Sequence, residues 1–226
     1  MKIKFYAHAC FRIEGGGQTI VTDPYEPAVS WFAPIDEPAD LVVMSSNTDR
    51  FHCDPSHVQG NPTVINALEI PPEGKTVNGV ALRAFPVRER YQLRLIFFLH
   101  LPRPNAMYSF ELGGVRVLHT GDIGRRFRPG EIAALRGQVD VMLALAGGVH
   151  NIEVDDMKAA IDAIGPKVVI PMHYFLPKGR LQILPVDEIA RRFPADRVVR
   201  VGGAEVELTP DTLPAETRLY ILEPSR

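Results

Sequence analysis

The order in which strand and helix signals follow one another constrains this chain most. Ile3 to Tyr6, Ala9 to Ile13 and Gln18 to Thr22 are short β-rich runs, and Gly15-Gly16-Gly17 supplies the turn between the second and third. Ala39 to Met44 reads as a buried strand that ends in a polar loop, and Asp54-Pro-Ser-His-Val as a helical turn with an acidic cap. Further strands are expected at Thr76 to Val80, Val80 to Phe85, Arg94 to Leu99, Ala106 to Leu112 and Val115 to His119, with Gly113-Gly114 as a hairpin turn. The second half alternates. An apolar strand at Val139 to Ala144 precedes a helix over Val154 to Ile164 capped by Asn151, and a buried strand at Lys167 to His173 precedes a helix over Val186 to Phe193. Arg197 to Val201 and Glu205 to Leu208 read as a closing strand pair, and Leu101-Pro-Arg-Pro-Asn105 as a stiff connection. Strands first and strand-helix alternation afterwards imply two sheets with helices outside, an α/β sandwich formed as one domain over residues 1–226.

Composition removes several function classes. With 226 residues, 46% hydrophobic and 23% charged, the chain can bury a sizeable core. A formal charge of -2 argues against nucleic acid as a partner, and the short clusters Arg125-Arg126-Phe127-Arg128 and Arg191-Arg192 read as solvated faces. No apolar run approaches the ~18 residues of a membrane span, and Met1 to Tyr6 lacks a secretory apolar core, so a cytoplasmic protein acting on a small molecule is expected, with self-association left open. Cys10 and Cys53 lack the spacing of a thiolate metal site and read as inert thiols. Neither a Gly-x-Ser-x-Gly elbow nor a phosphate-binding Gly-rich loop is present. Cys53 beside His52 makes a poor nucleophile-base pair, because adjacent residues on an extended segment point apart.

Six short motifs stand in order: Ala7-His8-Ala9-Cys10-Phe11, Thr22-Asp23-Pro24, His52-Cys53-Asp54-Pro55, His119-Thr120-Gly121-Asp122, Gly147-Gly148 and Ile170-Pro171-Met172-His173-Tyr174. Together they resemble the metallo-β-lactamase superfamily, and within it the small metal-dependent hydrolases that include ascorbate-6-phosphate lactonase-like proteins. The resemblance implies a four-layer αββα sandwich. It also implies a His-x-His-x-Asp-His loop, a later His, a bridging Asp and a last His that hold two divalent ions, which acidify a shared water and polarise a carbonyl or phosphoryl group.

This chain departs from that pattern. Aligned on His52, the first two family histidines fall at Asn47 and Asp49 and the family Asp at Phe51, which has no donor atom; a shift of one residue places Ser46 and Thr48 at the first two. Where the middle His is expected, only Glu89 of Val87-Arg88-Glu89-Arg90 could bind a metal. The resemblance carries over Asp122 as the bridging carboxylate and His173 as the last histidine. His52, Asp122 and His173 thus make half a site, two imidazoles and a carboxylate, with room for water. A second ion held by Asn47, Asp49 or Glu89 would meet oxygen donors, which favour magnesium, manganese or calcium over zinc. Alternatively Arg50 or Arg88 places a guanidinium where a cation would be, and no metal is needed.

Most of these residues also have a plain structural reading. Asp122 fits a turn cap, Asn47 and Asp49 fit Asx turns, and His57, His100 and His119 read as structural. His8 reads as a residue that orients a metal ligand, while His150 and Tyr174 read as cleft lining. The expected activity is hydrolysis by a depleted, one-ion site, with Asp49 as a second-site ligand or base and a small phosphorylated or lactone substrate. The rival readings are a metal-free binding protein that keeps the fold, and a subunit that assembles through Leu95-Ile-Phe-Phe-Leu99. The loops over Tyr25 to Pro38, with Trp31 and Phe32, and over Arg88 to Arg103 are the expected walls of the cleft.

Overall fold

The computed structural model describes residues 1–92, 100–149 and 151–226, with no account of the side chains at 91, 92 and 100–102. Fourteen strands form two mixed sheets among these residues. The first sheet contains β1 (Lys2–Ala7), β2 (Cys10–Gly15), β3 (Gln18–Thr22), β4 (Leu41–Met44), β5 (Thr63–Asn66) and β13 (Glu205–Glu207), in the spatial order β13-β1-β2-β3-β4-β5. The second contains β6 (Lys75–Val77), β7 (Val80–Gln92), β8 (His100–Leu112), β9 (Val115–His119), β10 (Val141–Leu145), β11 (Val168–Met172), β12 (Val198–Arg200) and β14 (Arg218–Ile221), in the order β12-β14-β11-β10-β9-β8-β7-β6. Buried side chains of both sheets form one continuous core, from Ile3, Phe5 and Phe11 to Val117, Leu143 and Ile170.

The expected α/β sandwich is therefore formed. Its helical layers are unequal. α2 (Pro129–Leu135), α3 (Val154–Ile164) and α4 (Asp187–Ala190) all belong to the half of the chain that builds the second sheet, whereas α1 (Pro27–Ser30) is one turn long. α3 buries Val154, Met157, Ala160, Ile161 and Ile164, the three-and-four spacing that its sequence shows. Gly113 and Gly114 both take positive φ, 58° and 76°, which is what a two-residue turn between antiparallel β8 and β9 requires.

Several expectations are corrected. β12 and β13 do not pair: β12 runs parallel to β14 and β13 runs antiparallel to β1, so the closing pair is divided between the two sheets. Residues 101–105 are not a connection but part of β8, with Pro102 opposite Arg90 and Pro104 opposite Arg88. The reason is register. Ala106, two residues on, sends its N–H away from β7 to Ser45 O at 2.9 Å, so prolines of the same parity lack a donor only on the side where β9 does not reach. Strands β5 and β14 and helix α2 are additions. The expected strand at Arg94 to Leu99 lies outside the described residues, as does the assembly surface assigned to it.

Candidate metal centre

The second-half strands run parallel from β9 through β10, β11 and β14, and β3 and β4 run parallel in the first sheet. In such sheets the residues just past the carboxyl ends of the strands face a common crevice. Here those residues are Asp23 after β3, the loop 45–52 after β4, Asp122 after β9, Asn151 after β10 and His173 after β11. His8 joins them from the two-residue turn between β1 and β2.

Three of these positions are strained. His8, Asp23 and His173 have φ of 58°, 40° and 51°, a left-handed conformation that costs a non-glycine residue about 1–3 kcal/mol. The His173 N–H donates to His8 O at 2.7 Å, so two of the strained turns lock together. Gly121 (φ 53°) has no such freedom to spare: a Cβ there would stand 2.4 Å from both Ala106 O and Asn105 Oδ1. The same Asn105 oxygen accepts the Asp122 N–H at 2.9 Å and holds the backbone from which the Asp122 side chain projects.

At the centre, Asp122 Oδ2 lies 3.1 Å from His52 Nε2 and 3.5 Å from His173 Nε2. His8 Nε2 lies 3.2 Å from His52 Nε2. All four side chains are buried. Behind them, Asp23 Oδ2 meets His52 Nδ1 at 2.8 Å, and Asp23 also accepts from Ser45 N at 2.7 Å, Ser45 Oγ at 2.5 Å and Tyr108 Oη at 3.1 Å. A carboxylate only accepts, so His52 carries a hydrogen on Nδ1 and turns Nε2 toward the cluster. Asn151 donates to Asp122 Oδ1 at 3.3 Å instead of capping α3, whose N-cap is Glu153.

Charge is finely opposed here. Burial works against a charged His52 ring, but the carboxylates of Asp122 and Asp23 outweigh it and raise its pKa well above the usual imidazole range. Burial would likewise raise Asp122, yet His173 and His52 hold it well below the usual carboxylate range. His8 moves the other way. Burial, His173 and His52 keep its ring neutral.

Asp122 and His173 open onto a cleft of about 360 Å³, with His52 and His8 buried behind them. Asp49, Glu89, Arg90, Arg103, Asp122, Asn151 and His173 line its polar side, and Val29, Phe51, Val149, Leu181 and Ile183 its apolar side. A larger cavity of about 590 Å³ adjoins it through Glu89 and Arg90 and contains none of the imidazoles, so the chemistry belongs to the smaller cleft.

Other expected residues are distributed as follows. A carboxylate oxygen of Asp49 lies within 4.8 Å of the donor atoms of His52 and Asp122, and Asp49 Oδ1 also closes an Asx turn onto Phe51 N at 2.9 Å. Glu89 is buried in the cleft wall, where Oε2 has no hydrogen-bond partner among the described residues. Asn47 is exposed and stands outside the cleft lining. Arg50 at the rim is engaged by Glu26, and Arg88 faces the adjoining cavity. Tyr174 is a core side chain, its hydroxyl donating to Leu222 O at 3.2 Å, because strand-end geometry turns it away from His173. His150 and the side chain of His100 lie outside the described residues. His57 and His119 hold backbone: His57 accepts Ile35 N–H at 2.8 Å and reaches Tyr25 O at 2.8 Å, and His119 reaches Ala9 O at 3.0 Å and accepts Gly121 N–H at 3.1 Å. Ser45 and Tyr108 carry no sequence signal for the site; Asp23 stands in the motif Thr22-Asp23-Pro24 without an assigned role, Asn151 reads as a helix cap, and Arg103 enters as the end of an expected cleft-wall loop.

A fold of two mixed sheets with an imidazole-carboxylate cluster at the strand ends is that of the β-lactamase superfamily, and the superfamily's domain model matches residues 2–173. The chain belongs to this superfamily. A UPF0173 protein of Pyrococcus abyssi is 29% identical over 187 residues, which span 77% of this chain and 83% of the relative. A UPF0173 metal-dependent hydrolase of Thermoplasma acidophilum is 27% identical over 189 residues, with 77% and 83% covered. Among solved structures, a chain from Thermotoga maritima assigned to the zinc-dependent hydrolases of the metallo-β-lactamase superfamily superposes with a TM-score of 0.76 at 31% identity, over 99% of both chains.

Proposed function

We propose that this protein is a metal-dependent hydrolase of a small substrate and works with a single divalent ion. The observation that carries this reading is the approach of His52 Nε2 and His173 Nε2 to one oxygen of Asp122, at 3.1 and 3.5 Å, where Asp122 and His173 line the cleft. The residues fit an ion. Two imidazoles and a carboxylate match the donor set of catalytic zinc sites, and the Asp23 carboxylate behind His52 is the outer partner that fixes a ligating ring. The names of the Thermoplasma and Thermotoga relatives support the same activity. An ion bound there supplies Lewis-acid polarisation and a more acidic water.

The chain's own residues do the rest. Asp23 and Asn151 orient His52 and Asp122. Asp49, with a carboxylate oxygen within 4.8 Å of the His52 and Asp122 donor atoms, takes up a proton or serves as a further ligand. Arg90 and Arg103 give the polar wall two guanidinium groups suited to a carboxylate or phosphate on the substrate, and Val29, Leu181 and Ile183 keep water from the opposite side. A phosphorylated sugar or a lactone bearing an acidic group satisfies both walls. Donor chemistry leaves zinc and manganese as the ions of choice. Phe51 has no donor atom and the exposed Asn47 stands outside the cleft, so of the loop residues before His52 Asp49 is the one with a donor near the cluster, which supports one ion rather than two.

Elemental analysis of the purified protein tests the reading. Wild type should hold about one equivalent of a divalent metal after dialysis, and His173→Ala should lose it. No metal in either protein sinks the hydrolase and leaves a cleft kept for binding.

A further inference from the structure

We propose that His8 is a direct ligand of the ion, so that the site is built from His8, His52, His173 and Asp122. The inference rests on the metal-dependent reading above and concerns which atoms complete it.

An outer residue that orients a metal-bound imidazole contacts the nitrogen that does not face the metal. On His52 that nitrogen is Nδ1, and Asp23 already holds it at 2.8 Å. His8 instead brings its Nε2 to 3.2 Å from Nε2 of His52, the nitrogen turned to the cluster. His8 therefore occupies the place of a co-ligand and not of a support.

The spacing agrees. Donors about 2.0–2.1 Å from a five-coordinate ion are about 2.9–3.6 Å from their neighbours, and with four protein donors the fifth position is the one left for water. Three of the donor pairs here are 3.1, 3.2 and 3.5 Å apart, and the donor atoms of His8, His52 and His173 all fall within 4.8 Å of one another. Backbone construction points the same way. His8 sits at φ 58° in a two-residue hairpin turn, a position where glycine is the default, and its carbonyl is bonded to the N–H of His173 at φ 51°. Two strained turns are joined so that their rings meet at a centroid separation of 4.2 Å.

Cobalt(II) titration of the full-length protein tests the assignment through its visible d–d absorption and its affinity. Loss of an outer partner costs about 10–100-fold in metal affinity. His8→Ala should cost more than about 100-fold and change the shape and intensity of the cobalt bands, while circular dichroism shows a folded chain. Wild-type affinity and an unchanged cobalt spectrum in folded His8→Ala would overturn the proposal and leave the one-ion hydrolase standing. If wild type itself binds no cobalt, both fall. Should His8→Ala not fold, long-range ¹⁵N NMR of wild-type imidazoles decides: zinc should shift Nε2 of three histidines, and a shift of only two refutes the fourth ligand.

Discussion

Asp23 Oδ2 and His52 Nδ1 are 2.8 Å apart, and neither side chain has any exposed surface. Four hydrogen bonds converge on that carboxylate, from Ser45 twice, Tyr108 and His52, which ties the first sheet, the loop after β4 and β8 to one buried charge. Asp23→Asn can keep the shape but must present an N–H₂ or a weaker acceptor to His52. We expect metal affinity to fall about 10–100-fold with little change in secondary structure. A competition titration against a chelator measures it, and an unaltered affinity would show that Asp23 is only a structural anchor.

Glu89 gives a pH signature to the metal-free protein. Burial first, then the carboxylates of Asp122 and Asp49, pushes its carboxyl up to about 8. The unfolded value is about 4.3, so the folded state binds the proton more tightly, and its contribution to stability is lost as pH climbs from there toward 8. Glu89→Gln removes this dependence. The stability gap in favour of the variant should widen between pH 5 and pH 9 by on the order of 2–4 kcal/mol in urea unfolding with chelator present. A constant gap would mean that Glu89 ionises freely in the folded chain.

Gly121→Ala adds a methyl group 2.4 Å from Ala106 O and Asn105 Oδ1 at a positive φ. The turn must shift, and Asp122 with it. A loss of about 2–4 kcal/mol in stability is expected, along with the bound metal. Thermal unfolding and metal content of the same sample check both, and a variant with wild-type Tm and metal would disprove the tight turn.

The two thiols should separate in labelling. Cys10 is completely buried, and burial pushes its pKa well above the ordinary thiol value; Cys53 is half-buried. A maleimide at pH 7.5 should modify Cys10 only on global unfolding and Cys53 in the folded chain, as read by peptide mass spectrometry with and without urea. Rapid labelling of Cys10 in native buffer would contradict the packing of β1 against β2.

Local pattern made much of the fold legible. The three-and-four spacing of α3, the Gly113-Gly114 turn and the alternation of β1 to β3 all depend on neighbours in sequence, and each appears where those patterns place it. What local pattern does not contain is partnership. Arg218 to Ile221 becomes a strand only because β11, some fifty residues earlier, offers an open edge, and Pro102 and Pro104 are tolerated only because of the side on which β9 stops. The site divides in the same way. His52, Asp122 and His173 were found through motifs, whereas Asn151 resembled a helix cap and Tyr108 an ordinary core aromatic until contacts 29 and 85 residues long gave them Asp122 and Asp23 as partners.

His119 binds no candidate ion, yet its ring spans from Ala9 O to Gly121 N, the turn before β2 on one side and the turn that presents Asp122 on the other. With the His173 bond to His8 O, it makes a brace that does not pass through residues 46–51. The loop that carries most of a binuclear site can thus be rewritten without moving His8, Asp122 or His173. A cleft of this kind can therefore lose donors from one loop while the turns that carry its other imidazoles and its carboxylate stay braced to one another.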